Sequence, residues 1–312
     1  MKIVLLDQKT LGDDLDVTSE LSKLGSLNIY PETAPHQTIE RLENASIAIT
    51  NKVVINKNVI DNCPKLKLIC VTATGTNNID LKYAAQKNIK VSNVAGYSTN
   101  SVAQHTFATL LSITNNIEYY KTYVAQKKYS KQSMFTHLNG PIPELSSMTL
   151  GIIGMGNIGQ RVADIAQAFG MSIVYYSTSG KNKEQSYPRL ELKELLQRSD
   201  VVSIHAPLSE QTFNLINEEN LKFCKPNCII LNMGRGGIIN EKALASALNE
   251  NIIFRAALDV FQSEPLSINS PLLSEAVAAK MVMTPHIAWA SYQARERLWE
   301  LTIDHIKNFI NA

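Results

Sequence analysis

Leu150-Gly-Ile-Ile-Gly-Met-Gly-Asn-Ile-Gly159 lies near the middle of a chain of 312 residues. Residues 150–153 form a short apolar run of strand character. Gly154-Met-Gly-Asn-Ile-Gly159 is a glycine-rich turn, and residues 158–169 repeat apolar side chains at helical spacing. Strand, turn and helix in that order are the setting in which G-x-G-x-x-G predicts a dinucleotide-binding turn. The first glycine permits the tight turn, the second lets backbone approach a pyrophosphate, and the third lets helix pack on strand. The helix start then presents unpaired N–H groups to phosphate oxygens. The motif nominates Gly154, Met155, Gly156, Asn157, Ile158 and Gly159 as cofactor-binding residues. Half of the chain precedes the turn, so another folding unit must come first.

Working outward, both halves alternate short apolar runs with amphipathic ones. In the first half strands are predicted over 2–6, 27–30, 47–50 and 66–71, and helices over 15–24, 37–43 and 57–62. In the second half strands are predicted over 149–153, 172–176, 201–204, 228–232, 255–259 and 281–283. Such alternation implies parallel sheets with helices on both faces. A long helix capped by Ser98, Thr99 or Asn100 leads into the second half, and the polar, tyrosine-bearing stretch 119–148 reads as an arm crossing back to the second domain. The final helix, over about residues 292–309, is expected to return to the first domain. The expected fold is α/β with two doubly wound parallel sheets. A dinucleotide-binding domain over 99–286 is inserted in a discontinuous domain over 1–98 and 287–312.

A net charge of +2 and a hydrophobic fraction of 45% give no sign of nucleic-acid or anionic-membrane binding. No apolar run approaches membrane-spanning length. The four cysteines, at 63, 70, 224 and 228, lack metal-ligand spacing and read as buried thiols of a reducing, cytoplasmic protein. At the ribose end of a dinucleotide, an acidic residue about 20 positions past the glycines normally marks NAD. Here the strand ends Tyr175-Tyr-Ser-Thr-Ser-Gly-Lys181, with no acid. Hydroxyls of Ser177, Thr178 and Ser179 with the Lys181 ammonium suit a 2′-phosphate, so NADP is favoured over NAD.

Three further segments fall at predicted strand ends: Asn232-Met-Gly-Arg-Gly-Gly237, Leu258-Asp-Val-Phe-Gln-Ser-Glu-Pro265 and Met283-Thr-Pro-His-Ile-Ala-Trp289. Singly, each of Arg235, Glu264 and His286 reads as an ordinary surface or structural residue. Together with the mid-chain glycine turn, Thr74-Gly-Thr-Asn-Asn-Ile-Asp80, Gly96-Tyr-Ser-Thr-Asn-Ser-Val-Ala103 and Val201-Val-Ser-Ile-His-Ala-Pro-Leu208, they resemble the D-isomer-specific 2-hydroxyacid dehydrogenases. The Thr284-Pro-His-Ile-Ala-Trp289 segment is most similar to the glycerate dehydrogenase and hydroxypyruvate reductase branch.

The resemblance implies reduction of a small 2-keto acid by NAD(P)H. Arg235 would bind the substrate carboxylate, His286 would act as general acid and base, and Glu264 would fix the imidazole tautomer and stabilise its protonated form. Backbone N–H groups of Thr74, Gly75 and Thr76 would grip the carboxylate. Asp259 would lie near the nicotinamide carboxamide, with His205, Ala206 and Pro207 on the adenosine side and Met233 and Gly234 completing the cofactor site. A homodimer through the long helix and the 119–148 arm is implied as well. Gln104 is assigned no role, and His105 reads as a packed helix residue. The alternative from another class is a nicotinamide-sensing corepressor with little turnover.

Overall fold

Among the described residues every strand runs parallel to its neighbours, in two sheets. The computed structural model describes residues 1–180 and 186–312, and the chain divides into two units, Met1–Ser98 with Ala290–Ala312, and Thr99–Trp289. Residues 287–289 therefore fall in the second unit rather than with the C-terminal helix.

The first unit holds β1 (Lys2–Leu5), β2 (Ser26–Ile29), β3 (Ile47–Thr50), β4 (Leu68–Val71) and β5 (Lys90–Asn93), in the order β2-β1-β3-β4-β5. This is the flavodoxin-like order, with its switch point between β1 and β3. Strands β3 and β4 are buried at all eight positions, because both faces of the sheet are covered. Asp7, just past β1, is 6% exposed. Its carboxylate accepts from the Thr50 hydroxyl at 3.1 Å and the Lys52 N–H at 2.7 Å, bonds that offset a burial that pushes the carboxyl upward.

The C-terminal helix Tyr292–Ile310 belongs to this unit. It is capped by Ser291, whose hydroxyl accepts from the Ala294 N–H, and is tied down by Arg295–Asp14 and Lys307–Glu20 ion pairs. The helix expected over 15–24 does not form; only the 3-10 turn Leu21–Lys23 is present. Asp16 instead accepts from the Thr18 and Ser19 N–H groups, a local alternative that competes with a helical start. The edge strand β5 was not expected. Its sequence, Lys-Val-Ser-Asn, has little strand propensity and no fully buried residue.

The second unit holds β6 (Thr149–Ile153), β7 (Ser172–Tyr176), β8 (Val201–Ile204), β9 (Ile229–Asn232), β10 (Arg255–Leu258) and β11 (Met281–Met283). They lie in the order β11-β10-β9-β8-β6-β7. A single parallel bridge, Tyr175 to Arg189, adds the trace of one more strand beyond β7. With it the order is the dinucleotide-binding one, extended by β11. Side chains along the strands alternate between two cores. Val174, Val202, Ile230 and Ala256 enter one, with Leu195, Leu244 and Leu248 of the covering helices. Ile173, Val201, Leu231 and Ala257 enter the other, with Val102, Phe107 and Leu110 of the helix Thr99–Thr114. Helices thus cover both faces.

The helix Asn157–Ala168 presents Gly159, Val162, Ala163 and Ala166 to the sheet, one stripe at three- and four-residue spacing. It stops at Gly170, φ 77°, where Met171 N–H donates to Ala166 O and Gly170 N–H to Gln167 O. The arm over 119–148 begins in the helix Ile117–Ala125. Among the described residues no helix is long and apolar enough to cross a membrane.

Candidate active site

Strand β6 delivers the chain to Gly154, whose φ of 95° disfavours any side chain. A Cβ there would stand 2.8 Å from the Ala206 nitrogen, so the turn after β6 packs directly on the loop after β8. A Cβ on Gly159 would overlap the Gly154 carbonyl oxygen. Gly156 differs from both: an added Cβ meets nothing within 4 Å. Gly156 caps the helix Asn157–Ala168, so open space lies over a helix N-terminus, where N–H groups and the helix dipole favour a phosphate.

Asn157 and Ile158 form the first turn. Met155, Ala206 and Met233 are 1%, 2% and 5% exposed, so their side chains are core and only their backbone can face a ligand. Gly234, at the end of β9, packs against the Ala206 carbonyl oxygen. Gly154, Met155, Gly156, Ser177, Thr178, Ser179, His205 and Pro207 line one pocket of about 150 Å³. Lys181 lies outside the described residues.

Two polar atoms here are buried with no partner among the described residues, Ser177 Oγ and His205 Nδ1. The other ring nitrogen of His205 is 2.8 Å from Ser203 Oγ. Burial pushes the His205 imidazole down to about 3, so the ring is neutral at physiological pH. Open space at Gly156 and orphaned hydrogen-bonding atoms at Ser177 and His205 fit a dinucleotide along this edge.

The chemical groups arise from the same register row, further across the sheet: Ile153 pairs with Ile204, and Ile204 with Asn232. Asn232, Leu258 and Met283 are paired neighbours across β9, β10 and β11. Arg235 and His286 each follow three residues past that row, and Glu264 six past it. His286 Nδ1 is 2.7 Å from Glu264 Oε2, and Glu264 Oε1 accepts from the Phe261 N–H at 3.0 Å. A carboxylate only accepts, so Nδ1 carries the proton and Nε2 is left to face a ligand. Both groups remain accessible, with side chains 25% and 32% exposed.

His286 has φ 55°, a conformation costing a residue with a Cβ about 1–3 kcal/mol. Its surroundings enforce that conformation. The His286 N–H donates to Asp259 O at 2.9 Å and Thr284 O at 3.0 Å. Asp259 is 1% exposed. Its carboxylate accepts from the Ile287 and Ala288 N–H groups, both at 2.8 Å, and from the Thr284 hydroxyl at 2.6 Å. In this structure the Asp259 side chain is therefore occupied with the backbone of the His286 turn.

Arg235 is half-buried and its Nη1 donates to Gly234 O at 2.8 Å. It forms no ion pair among the described residues, leaving a fork for an anion. Thr74, Gly75 and Thr76 belong to the first unit, in the loop after β4, where Thr74 is bonded to Val94 and Asn93. A larger cavity, about 480 Å³, lies between helices Thr99–Thr114 and Asn157–Ala168, but Phe107, Ala108, Leu111, Ile165 and Phe169 make it apolar and none of the candidate residues lines it. Ser101, His105 and Thr284 touch the His286 turn and were not nominated from sequence; His105 was read as packing alone.

Residues 107–288 match the family described as D-isomer specific 2-hydroxyacid dehydrogenase, NAD binding domain. The chain belongs to the D-isomer-specific 2-hydroxyacid dehydrogenase family. This dehydrogenase is 36% identical to a hydroxypyruvate reductase of Blautia hydrogenotrophica, over 100% of its own length and 98% of the relative's. It is 33% identical to a glycerate dehydrogenase of Methylorubrum extorquens, over 99% and 96%. Among solved structures, an acyclic imino acid reductase in complex with NADPH and D-Arg superposes with a TM-score of 0.87 at 30% identity, covering 100% and 97% of the two chains. The dehydrogenase thus sits with the glycerate and hydroxypyruvate branch and is an oxidoreductase using a nicotinamide cofactor. The corepressor alternative is not favoured.

Proposed function

We propose that this dehydrogenase reduces a small 2-keto acid of the hydroxypyruvate or glyoxylate type: 2-keto acid + NAD(P)H + H⁺ ⇌ D-2-hydroxy acid + NAD(P)⁺. The observation carrying the reading is the His286–Glu264 pair, 2.7 Å apart, at the same carboxyl edge of the sheet as the dinucleotide pocket. The bound nicotinamide supplies the hydride in reduction and accepts it in oxidation. His286 Nε2 gives a proton to the substrate oxygen in reduction and takes one back in reverse. Glu264 accepts from Nδ1, holding the ring in the tautomer that presents Nε2 and stabilising the imidazolium. Arg235 binds the substrate carboxylate through its planar fork and fixes which carbon faces the cofactor.

Replacing His286 by Ala should lower turnover on the order of 10²- to 10⁴-fold, the usual share of general acid–base catalysis. Replacing Arg235 by Ala should mainly raise the KM for the keto acid. Near-normal turnover in the His286 variant refutes the assignment.

NADP is the favoured cofactor. Ser177, Thr178 and Ser179 bring hydroxyls and no carboxylate to the end of β7, and Ser177 Oγ has no protein partner among the described residues. Steady-state rates with NADPH against NADH, over hydroxypyruvate, glyoxylate and pyruvate, test cofactor and substrate together; a preference for NADH overturns the cofactor choice. Four free, buried thiols suit a reducing cytoplasm. A homodimer is supported by the apolar surface of the arm, where Met134, Phe135 and Leu138 are 61%, 84% and 75% exposed.

A further inference from the structure

We infer that His105 is a positioning residue for His286, acting from the helix Thr99–Thr114 through Thr284. Ser101 and His105 are four residues apart and share one face of that helix. Ser101 Oγ donates to Ala288 O at 2.6 Å, and His105 Nε2 stands 3.0 Å from Thr284 Oγ1. The helix therefore holds the His286 turn at two points, two residues before the imidazole and two residues after it.

The direction of the bonds follows from the donor inventory. Thr284 Oγ1 is 2.6 Å from Asp259 Oδ1, and a carboxylate can only accept, so the single hydroxyl proton is committed there. Thr284 has only lone pairs left for His105, so His105 Nε2 must carry a proton. The chain runs His105 to Thr284 to Asp259. Asp259 in turn receives the Ile287 and Ala288 N–H groups, which directly follow His286 in its left-handed conformation. His105 Nε2 also lies 3.8 Å from Asp259 Oδ1, so the ring and the hydroxyl meet the same carboxylate oxygen. Without His105 the Thr284 hydroxyl keeps only its bond to Asp259, and of these two helix contacts only Ser101 to Ala288 still holds the turn.

The inference rests on His286 as the acid–base, and the experiment separates the two. Turnover and KM are measured for H105L, H105Q, T284V, T284S, the double variant H105L/T284V and H286A, each checked for an unchanged melting profile. H105L and T284V should each lower kcat on the order of tenfold, with the KM for NAD(P)H within about twofold, because a misplaced acid costs rate more than binding. H105Q and T284S, which restore a donor and a hydroxyl, should recover most of that loss. The double variant should be no slower than the slower single, since both break one chain.

Wild-type kcat in H105L and T284V, equal losses in the conservative variants, or additive losses in the double overturns the inference. If H286A itself turns over normally, the acid assignment fails instead. The chain is then decided by the ¹⁵N spectrum of the imidazoles in the wild-type protein. A His105 ring protonated at Nε2, with a signal that moves in T284V and holds in T284S, supports it, and a ring bare at Nε2 overturns it.

Discussion

Two glycines of the dinucleotide turn should respond to the same substitution in opposite ways. In G154A the new methyl sits on a residue with φ 95°, 2.8 Å from the Ala206 nitrogen and 2.9 Å from its Cα. The positive φ costs about 1–2 kcal/mol, and overpacking against backbone adds about 1–3 kcal/mol. A loss of roughly 2–5 kcal/mol in folding stability follows. In G156A nothing lies within 4 Å of the methyl and φ is −84°, an ordinary value. Replacing a capping glycine by Ala costs about 0.5–1 kcal/mol, and the stiffer unfolded chain returns about 0.4–1 kcal/mol, so stability should hardly move. The methyl instead fills the space over the helix start that the pyrophosphate needs. Losing two charge-assisted hydrogen bonds, at about 1.5–3 kcal/mol each, weakens binding by about 10²- to 10⁴-fold. Urea unfolding gives the first quantity and quenching of protein fluorescence by NADPH the second. Unchanged cofactor affinity in G156A, or equal destabilisation by the two variants, refutes the placement of the pyrophosphate.

Other outcomes follow from single groups. His205 has its imidazole depressed from 6.5 to about 3. Between those values the unfolded chain binds a proton that the folded one does not, so stability falls as pH drops through that window, by at most ~1.4 kcal/mol per pH unit. Urea midpoints of the cofactor-free protein at pH 7 and pH 5 should therefore differ more for wild type than for H205Q, and equal differences contradict a neutral buried ring. D259N turns one acceptor into a donor facing the Ala288 N–H or the Thr284–Ile287 pair. It should cost about 2–3 kcal/mol at the His286 turn and lower kcat by at least tenfold; turnover within twofold of wild type contradicts the anchoring role. Light scattering should find a dimer for wild type and a monomer for a variant with Glu at Phe135 and Leu138, and a monomeric wild type removes the dimer proposal.

The sheet of the second unit was legible because its strands are continuous apolar runs bounded by turn residues. The expected bounds of β6, β7, β8 and β11 match the structure residue for residue. Strand β5 was not legible, since at a half-exposed edge nothing selects Val or Ile over Lys and Asn. The false helix over 15–24 had apolar spacing without propensity, and Asp16 found a local bond first. At the site, Arg235, Glu264 and His286 were nominated by the family motifs taken together, since singly each reads as an ordinary residue. The polar support around His286 was not, because His105 and Thr284 are 179 positions apart and Ser101 and Ala288 are 187 apart. No periodic pattern joins a helix to a loop at that separation, and a histidine among apolar neighbours looks the same whether or not its far nitrogen has a partner.

Among the described residues the sheet continues beyond β7 as the bridge from Tyr175 to Arg189, held by Tyr175 N–H to Pro188 O and Leu190 N–H to Tyr175 O. Rewriting the chain between Ser177 and Pro188 puts these two ladder bonds at risk, together with, among the described residues, the bond that the Tyr187 hydroxyl gives Gln167 Oε1 at 3.1 Å. On the cofactor reading proposed above, selection can rewrite that segment to trade one nicotinamide currency for the other while the buried strands and the proton-handling end stay as they are.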